Sequence, residues 1–274
     1  MGVVILLLVI YWPMFGYANY KWSHDDNYSH GYFVPLATAY LIWLKRKKLR
    51  AIPTRENLWG LALIILALGI HALGVRAELL RLSMISFILI LYGMILFFTG
   101  YQWLKELLFP AGFLIFGFPF PLYIESVTFP MKLLAAKVSV VLMEAVGWSV
   151  YRQGTVIYLP KMTMGVADAC SGLRSLVLVI GVAAFYSYVY MKNPLKRISF
   201  LLLSIPIALI ANIVRILITG VVGYYWGMGK AFDFVHDTSG LLILAVAGFC
   251  LVMVDAAAQR YFGRKNNTGN MAEG

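Results

Sequence analysis

Charged residues are scarce in this 274-residue chain, and their scarcity excludes most classes of protein. Only 13% of the residues are charged, whereas 61% are apolar, and the mean hydropathy is +0.80. Soluble domains carry about 25% charged and about 45–50% apolar residues. Because the apolar residues also come in long runs, the composition excludes a water-soluble enzyme fold and predicts an integral membrane protein.

Cysteine and acidic residues are also few. Two cysteines, Cys170 and Cys250, are not enough for a disulfide framework. The 12 acidic residues stand against 23 basic ones, which gives a net charge of +11. Cytoplasmic loops of membrane proteins collect Lys and Arg, so this charge does not indicate a nucleic-acid partner. With no internal repeat and no glycine-rich phosphate loop, the sequence predicts no cofactor.

The apolar runs predict an all-α, polytopic helical bundle that forms a single membrane domain over residues 1–274. A span needs about 20 mostly apolar residues. Eight runs qualify: 3–20, 30–44, 57–75, 79–99, 107–124, 171–191, 198–220 and 238–258. The first run lacks a basic leader and a small-residue cleavage site, so it is expected to be a retained span rather than a signal peptide.

A ninth run, 126–147, has one polar face, because its charged residues fall within an arc of about 160° on a helix. This pattern predicts an interfacial or re-entrant helix. If the run does not cross, the basic clusters at 45–50, 192–197 and 260–265 all lie on one side, which the positive-inside rule makes cytoplasmic. Both termini and the polar tail 259–274 are then cytoplasmic.

This sidedness brings three reactive side chains to the outer face of the membrane. Cys170 and His236 each come just before a span, and Arg215 lies about five residues, or about 7 Å, inside the end of 198–220. A thiol at a helix N-terminus has a lowered pKa. Histidine is suited to moving a proton near neutral pH, and an intramembrane arginine persists where it faces a cavity, a partner or a substrate.

Each of these residues also has a purely structural interpretation. Cys170 would be a buried structural cysteine, Arg215 would extend to the lipid headgroups, and His236 would cap a helix. Cys250 lies in the middle of a span and is expected to be a small apolar side chain. An alternating pattern around Gly154 predicts a short hairpin over 150–164 near this site.

Further small and polar residues are predicted to support the three reactive ones. They are Asp168, Ser171, Gly172, Arg174, Asn212, Asp237 and His30. Ser171 and Gly172 would let a substrate backbone approach, and Asn212 shares a helix face with Arg215. Asp237 would fix the histidine tautomer or cap the last helix, and Arg174 is the alternative cation.

The outer loop 23–31 carries two histidines and two aspartates, but their pattern matches no tight zinc spacing. No metal site is therefore predicted, and the loop is expected to face a substrate. His71 stands alone in the middle of a span.

Several ordered motifs resemble the exosortase/archaeosortase family over about residues 25–258. They are ACSGLRS at 169–175, NIVR at 212–215, His236 with Gly240, and, near the N-terminus, SHG at 29–31 and YLIW at 40–43. The family's cysteine, arginine and histidine correspond to Cys170, Arg215 and His236, and the histidine favours the bacterial exosortase branch.

The resemblance implies a cysteine protease and transpeptidase of the bacterial cytoplasmic membrane, with its active site facing the exterior. Its substrates would be exported proteins that end in a short motif such as Pro-Glu-Pro, an apolar helix and a basic tail. Membrane lipids surround such an enzyme, and an amine would accept the product if the reaction is a transfer. The residues alone also allow a small-solute transporter or a non-catalytic envelope scaffold.

Overall fold

A computed structural model describes residues 2–119, 123–165, 172–227, 229, 238 and 245–256. The described part is helical apart from one small sheet, which confirms the all-α class. The chain forms two compact units, Met1–Leu122 and Tyr123–Gly274. The predicted cytoplasmic tail, 259–274, lies outside the described residues.

The first unit is built from six helices and two short 3-10 segments in its described residues. The helices are α1 (Gly2–Ile10), α2 (Trp12–His24), α3 (Phe33–Ala51), α4 (Trp59–Arg76), α5 (Leu80–Thr99) and α6 (Tyr101–Gly112). The 3-10 segments are Asp26–Tyr32 and Phe113–Gly117.

The second unit combines helices with a three-stranded antiparallel sheet in the order β1-β2-β3. Its described elements are α7 (Tyr123–Ala145), β1 (Tyr151–Gln153), β2 (Val156–Leu159), β3 (Met162–Gly165), α8 (Gly172–Tyr190), α9 (Pro194–Trp226) and α10 (Ala245–Ala256). The sheet follows α7 directly and precedes α8, so it lies in sequence immediately before the predicted cysteine segment.

Three helices of the described part are long and apolar enough to cross a membrane, namely α4, α5 and α9. Two shorter apolar helices, Leu176–Tyr190 within α8 and Ala245–Ala256, accompany them. These helices support a membrane protein, and the number of eight spans stays a prediction.

Two of the predicted spans differ from the helices that form. The run 3–20 is divided at Tyr11 into α1 and α2, because Pro13 in the first turn of α2 has no N–H to continue the helix. In the run 107–124, α6 ends at Gly112 and a 3-10 segment follows. Phe118 is then extended, as expected for a residue before a proline.

The break between α1 and α2 is held by polar contacts with the next two membrane helices. The hydroxyl oxygens of Tyr11 and Ser86 are 2.8 Å apart, and His71 Nε2 donates to the carbonyl oxygen of Ile10 at 3.0 Å. His71 therefore joins α4 to the carbonyl at the break, which gives this histidine a structural role.

The basic end of α3 meets a carboxylate on α6. Lys48 Nζ donates to Glu106 Oε1 at 2.6 Å, and Lys45 Nζ donates to Oε2 at 3.1 Å. The Lys48 hydrogen bond, reinforced by Lys45, holds the pKa of the Glu106 carboxyl below its usual value. The contact fixes α6 to the basic cluster 45–50 at the end of α3.

Replacing Glu106 with Gln should reduce the loss of unfolding free energy that occurs when the pH is lowered from neutral to acid. Because the pKa of Glu106 is lowered in the folded state, its stabilising effect is present at neutral pH and disappears as the pH falls through that lowered value. We expect wild type to exceed E106Q by less than about 1 kcal/mol in unfolding free energy at neutral pH. Detergent-solubilised protein, unfolded at pH 7 and at about pH 3, should show a smaller difference at the lower pH, and an equal difference at both would contradict the assignment.

Candidate active site

α9 extends well beyond the predicted span 198–220. It has 33 residues and continues to Trp226, so it is about 50 Å long, against about 30 Å for a hydrocarbon core. Arg215 therefore lies about 17 Å from the end of the helix, rather than the predicted 7 Å. Measured from Arg197 at the other end, Arg215 is about 27 Å along the axis, a distance close to the thickness of about 30 Å of a hydrocarbon core.

Arg215 is enclosed by protein. Its relative exposure is 6%, and that of Asn212, one turn earlier, is 5%. Both belong to a continuous buried stripe along α9, which consists of Phe200, Ser204, Ile207, Ala208, Ala211, Asn212, Arg215, Ile216, Thr219, Gly220 and Gly223. No described residue donates a hydrogen bond to Asn212 Oδ1, so this buried carboxamide oxygen is an available acceptor beside the guanidinium group.

The stripe on α9 passes from one apolar cluster to another at the level of Arg215. Ala211 packs with Val179 and Ala183 of α8 and with Ala247 and Leu251 of α10. Ile216 belongs instead to a cluster that α7 and the sheet build, which includes Met143, Ile157 and Met164. Arg215 is thus the charged residue at the junction between a helical bundle and a sheet-covered segment of the same helix.

The sheet covers the last turns of α9. The predicted hairpin around Gly154 is confirmed: β1 and β2 pair in antiparallel register, and Gly154 has a φ of +63° at the first loop position, which suits a type II′ turn. Met162 and Leu159 pack against Gly223, where an added Cβ would lie 2.5 Å from Met162 Sδ. Lys161 Nζ also donates to the carbonyl oxygen of Tyr225.

Sequence reasoning did not find β3 or the sheet contact with α9. The available signal was the continuation of small residues through Thr219, Gly220 and Gly223, which extends the buried stripe past the predicted end of the span.

The predicted cysteine segment joins β3 to α8. β3 ends at Gly165 and α8 begins at Gly172, so Gly172 and Arg174 lie in the first turn of α8. The other predicted members of the site, Asp168, Cys170, Ser171, His236 and Asp237, lie outside the described residues. Cys250 packs at the margin of the cluster around α8, α9 and α10, as expected of a small apolar side chain.

α8 and α9 form an antiparallel pair whose register relates Arg215 to the start of α8. The rings of Tyr186 and Phe200 stack with centroids 5.5 Å apart and so lie level with each other. Arg215 is fifteen residues beyond Phe200, and position 171 is fifteen residues before Tyr186. Because both helices rise about 1.5 Å per residue, Arg215 is level with the beginning of α8.

His30 belongs to the first unit, in the 3-10 segment Asp26–Tyr32. Its Nε2 lies 3.0 Å from the carbonyl oxygen of Phe116, and Trp22 Nε1 donates to the neighbouring carbonyl of Gly117 at 2.7 Å. Gly31 has to be glycine, because an added Cβ would lie 2.1 Å from Trp22 Nε1. His30 therefore joins the 3-10 segment Asp26–Tyr32 to the 3-10 segment Phe113–Gly117.

Comparison with protein families matches residues 22–253 to transmembrane exosortases. Comparisons with curated proteins and with solved structures find no match. The matched range covers most of the chain and includes Cys170, Arg215 and His236. This chain therefore belongs to the transmembrane exosortase family.

Proposed function

We propose that this protein is a membrane cysteine protease and transpeptidase that processes the C-terminal sorting signals of exported proteins. The family to which it belongs is associated with sorting-signal processing. The observation that carries the proposal is the register of α8 and α9, because it sets buried Arg215 level with the beginning of α8, which directly follows the cysteine segment 169–171 in the sequence. Cys170 precedes Gly172 by two residues, so its Cα lies within about 7 Å of the first residue of α8.

The chemistry assigns one role to each of the three residues. His236 accepts the proton of the Cys170 thiol, and the thiolate attacks the scissile carbonyl carbon. Arg215, together with backbone N–H groups at the start of α8, stabilises the negative charge on the carbonyl oxygen. His236 then gives its proton to the departing amine, and the substrate remains attached to Cys170 as a thioester. An amine acceptor or a water molecule resolves the thioester and restores the thiol.

Supporting groups are assigned around these three residues. Asp237 holds the histidine in its productive orientation, Asp168 is a supporting polar residue of the cysteine segment, and Ser171 and Gly172 leave room for the substrate backbone. Arg174, in the first turn of α8, is the alternative cation for the role assigned to Arg215. Asn212 lies one turn before Arg215 on the buried face of α9 and is assigned to support it.

The positive-inside rule places this site at the outer face of the cytoplasmic membrane. The basic residues 45–50 and 192–197 then share the cytoplasmic side. After α4 and α5 have crossed outward and back, the chain is again on the cytoplasmic side at residue 100. The site lies outside if the chain crosses the membrane an odd number of times between residues 100 and 171, so the prediction does not depend on a continuous helix over 107–124. A substrate with an apolar helix and a basic cytoplasmic tail would present its scissile bond just outside the membrane, beside α8.

Replacing Cys170 with Ala should abolish processing, because the nucleophile is lost. We expect the rate to fall at least about 1,000-fold. The measurement is mass spectrometry of membrane proteins from cells that produce either form together with a reporter ending in Pro-Glu-Pro, an apolar helix and a basic tail. Reporter with an intact tail should accumulate only with C170A.

The matched control is Cys250→Ala, which removes the other thiol of the chain and should leave processing within about twofold of wild type, since Cys250 is a packing residue. A stably inserted C170A protein that still removes the tail would contradict the protease and favour a transporter or a scaffold. Mass added at the new C-terminus would identify the amine acceptor.

A further inference from the structure

β3 leaves an unused backbone edge in the described part of the second unit. Two loop residues, 160 and 161, join β2 to β3, and Leu159 pairs with Met162 at the base of the loop. In a two-residue hairpin, the two residues of this pair donate to and accept from each other. Hydrogen-bonded and non-hydrogen-bonded pairs alternate along the ladder, so Ile157 and Met164 form the next hydrogen-bonded pair. The backbone N–H and C=O groups of Thr163 and Gly165 therefore point away from β2.

The outward groups of Thr163 and Gly165 form no hydrogen bond with any described residue. The strand itself is well fixed, because the side chains of Met162 and Met164 are buried in the cluster with α7 and α9. Thr163 is exposed on the opposite face. β3 thus presents two donors and two acceptors at a rigid edge, an arrangement that binds extended polypeptides by adding a strand.

The position of this edge in the chain indicates what binds it. Cys170 follows Gly165 by five residues, so the end of β3 is within about 18 Å of the cysteine. β1, at the other side of the sheet, leads back to α7 and presents only the backbone groups of Arg152 outward. A polypeptide that lies along β3 would be directed toward Cys170, whereas one that lies along β1 would not.

We propose that the outer edge of β3 binds the extended segment of the substrate that joins the exported protein to its membrane helix, as an added β-strand. The proposal rests on the proposed protease function of Cys170. Main-chain pairing gives affinity that does not depend on the side chains of the substrate. One enzyme could therefore position many different exported proteins, while selection of the sorting motif takes place nearer to Cys170.

Two matched proline variants test the edge. Thr163→Pro removes one outward N–H from β3, and Arg152→Pro removes the corresponding outward N–H from β1. Both positions lie in non-hydrogen-bonded pairs with β2 on edge strands, where proline is tolerated. We expect T163P to lower the rate of reporter processing about tenfold, and R152P to stay within about twofold of wild type. Full processing by T163P would overturn the proposal.

A substrate-side measurement decides the matter if both variants lose activity because the sheet is damaged. Purified full-length wild-type protein in lipid nanodiscs is given synthetic peptides with the Pro-Glu-Pro motif, the apolar helix and the basic tail. Each peptide carries one N-methylated backbone amide upstream of the cleavage site. Strand addition predicts that methylation slows cleavage at every second position, since alternate amides face β3.

The same peptides separate this proposal from the proposed function. If the unmethylated peptide is cut by wild type but not by C170A, the protease function stands. Uniform or absent effects of N-methylation would then overturn the edge proposal alone, and would leave β3 to pair with another segment of this chain. If the unmethylated peptide is not cut, or is cut equally by C170A, the protease function is wrong, and the edge proposal, which rests on it, is overturned as well.

Discussion

Arg215→Ala should lower the rate of signal processing about 100- to 1,000-fold while the protein remains inserted in the membrane. The guanidinium group is buried on α9, level with the start of α8, where the proposed reaction develops negative charge on a carbonyl oxygen. Removal of one preorganised donor to such an oxygen typically costs this much in kcat. Arg215→Lys keeps the charge but loses the planar pair of donors, so it should recover only part of the rate.

The kinetic constants distinguish two roles for Arg215. If it stabilises the oxyanion, R215A lowers kcat and leaves KM nearly unchanged, because the interaction exists only in the transition state. If it binds a carboxylate of the substrate, R215A raises KM instead. The measurement is steady-state cleavage of the synthetic sorting peptide by purified protein in nanodiscs.

Arg197 is the matched control because it is another arginine of α9. Its guanidinium group donates to the carbonyl oxygens of Met191 and Tyr188 at 2.7 and 3.2 Å, and so secures the turn between α8 and α9. R197A should lower the unfolding temperature, because the turn loses its hydrogen bonds. Its kcat should stay close to that of wild type. If R215A retains cleavage within about threefold of wild type, Arg215 is a structural residue of the buried stripe.

The sequence predicts the helical half of this site well, because hydrophobic periodicity and basic loops are local signals. The α8–α9 pair and its short basic turn follow from the pattern 171–220, whereas the burial of Arg215 does not, because the pattern also allows this side chain to extend to the lipid headgroups. The end of α9 does not follow from it. Residues 221–226 include Tyr224, Tyr225 and Trp226, and their helix is supported by packing of the sheet against Gly223, a contact between distant parts of the chain.

The first unit shows the same limit at two places. The motif at 29–31 is visible in the sequence, but the contact of His30 with the carbonyl of Phe116, and that of Trp22 with the carbonyl of Gly117, join residues more than eighty positions apart. In the run 107–124, the apolar composition predicts one span, whereas Gly112 and Pro119 end the regular helix early. Composition averaged over 18 residues does not register two helix-breaking positions.

Replacing Gly60 with Ala should destabilise the first unit by about 1–3 kcal/mol in unfolding free energy, and Val should have a larger effect. An added Cβ at Gly60 would lie 2.3 Å from the backbone nitrogen of Phe97 and 2.7 Å from the carbonyl oxygen of Gly93. These are backbone atoms, so α4 and α5 would have to separate. Within a lipid bilayer, helices associate largely through such close packing of small residues, and this contact therefore holds the pair together.

Gly69 provides a control on the same helix. An added Cβ there meets nothing within 4 Å, so Gly69→Ala should be neutral or stabilise α4 by up to about 1 kcal/mol through helix propensity alone. The measurement is reversible unfolding of each purified variant in detergent at increasing denaturant. Because the two substitutions add the same methyl group to the same helix, the difference between them isolates the α4–α5 contact from helix propensity. Equal stability of G60A and G69A would mean that the close backbone approach at Gly60 does not hold α4 and α5 together, and the apolar packing of Ala67 with Met84 and Ile88 would then have to do so.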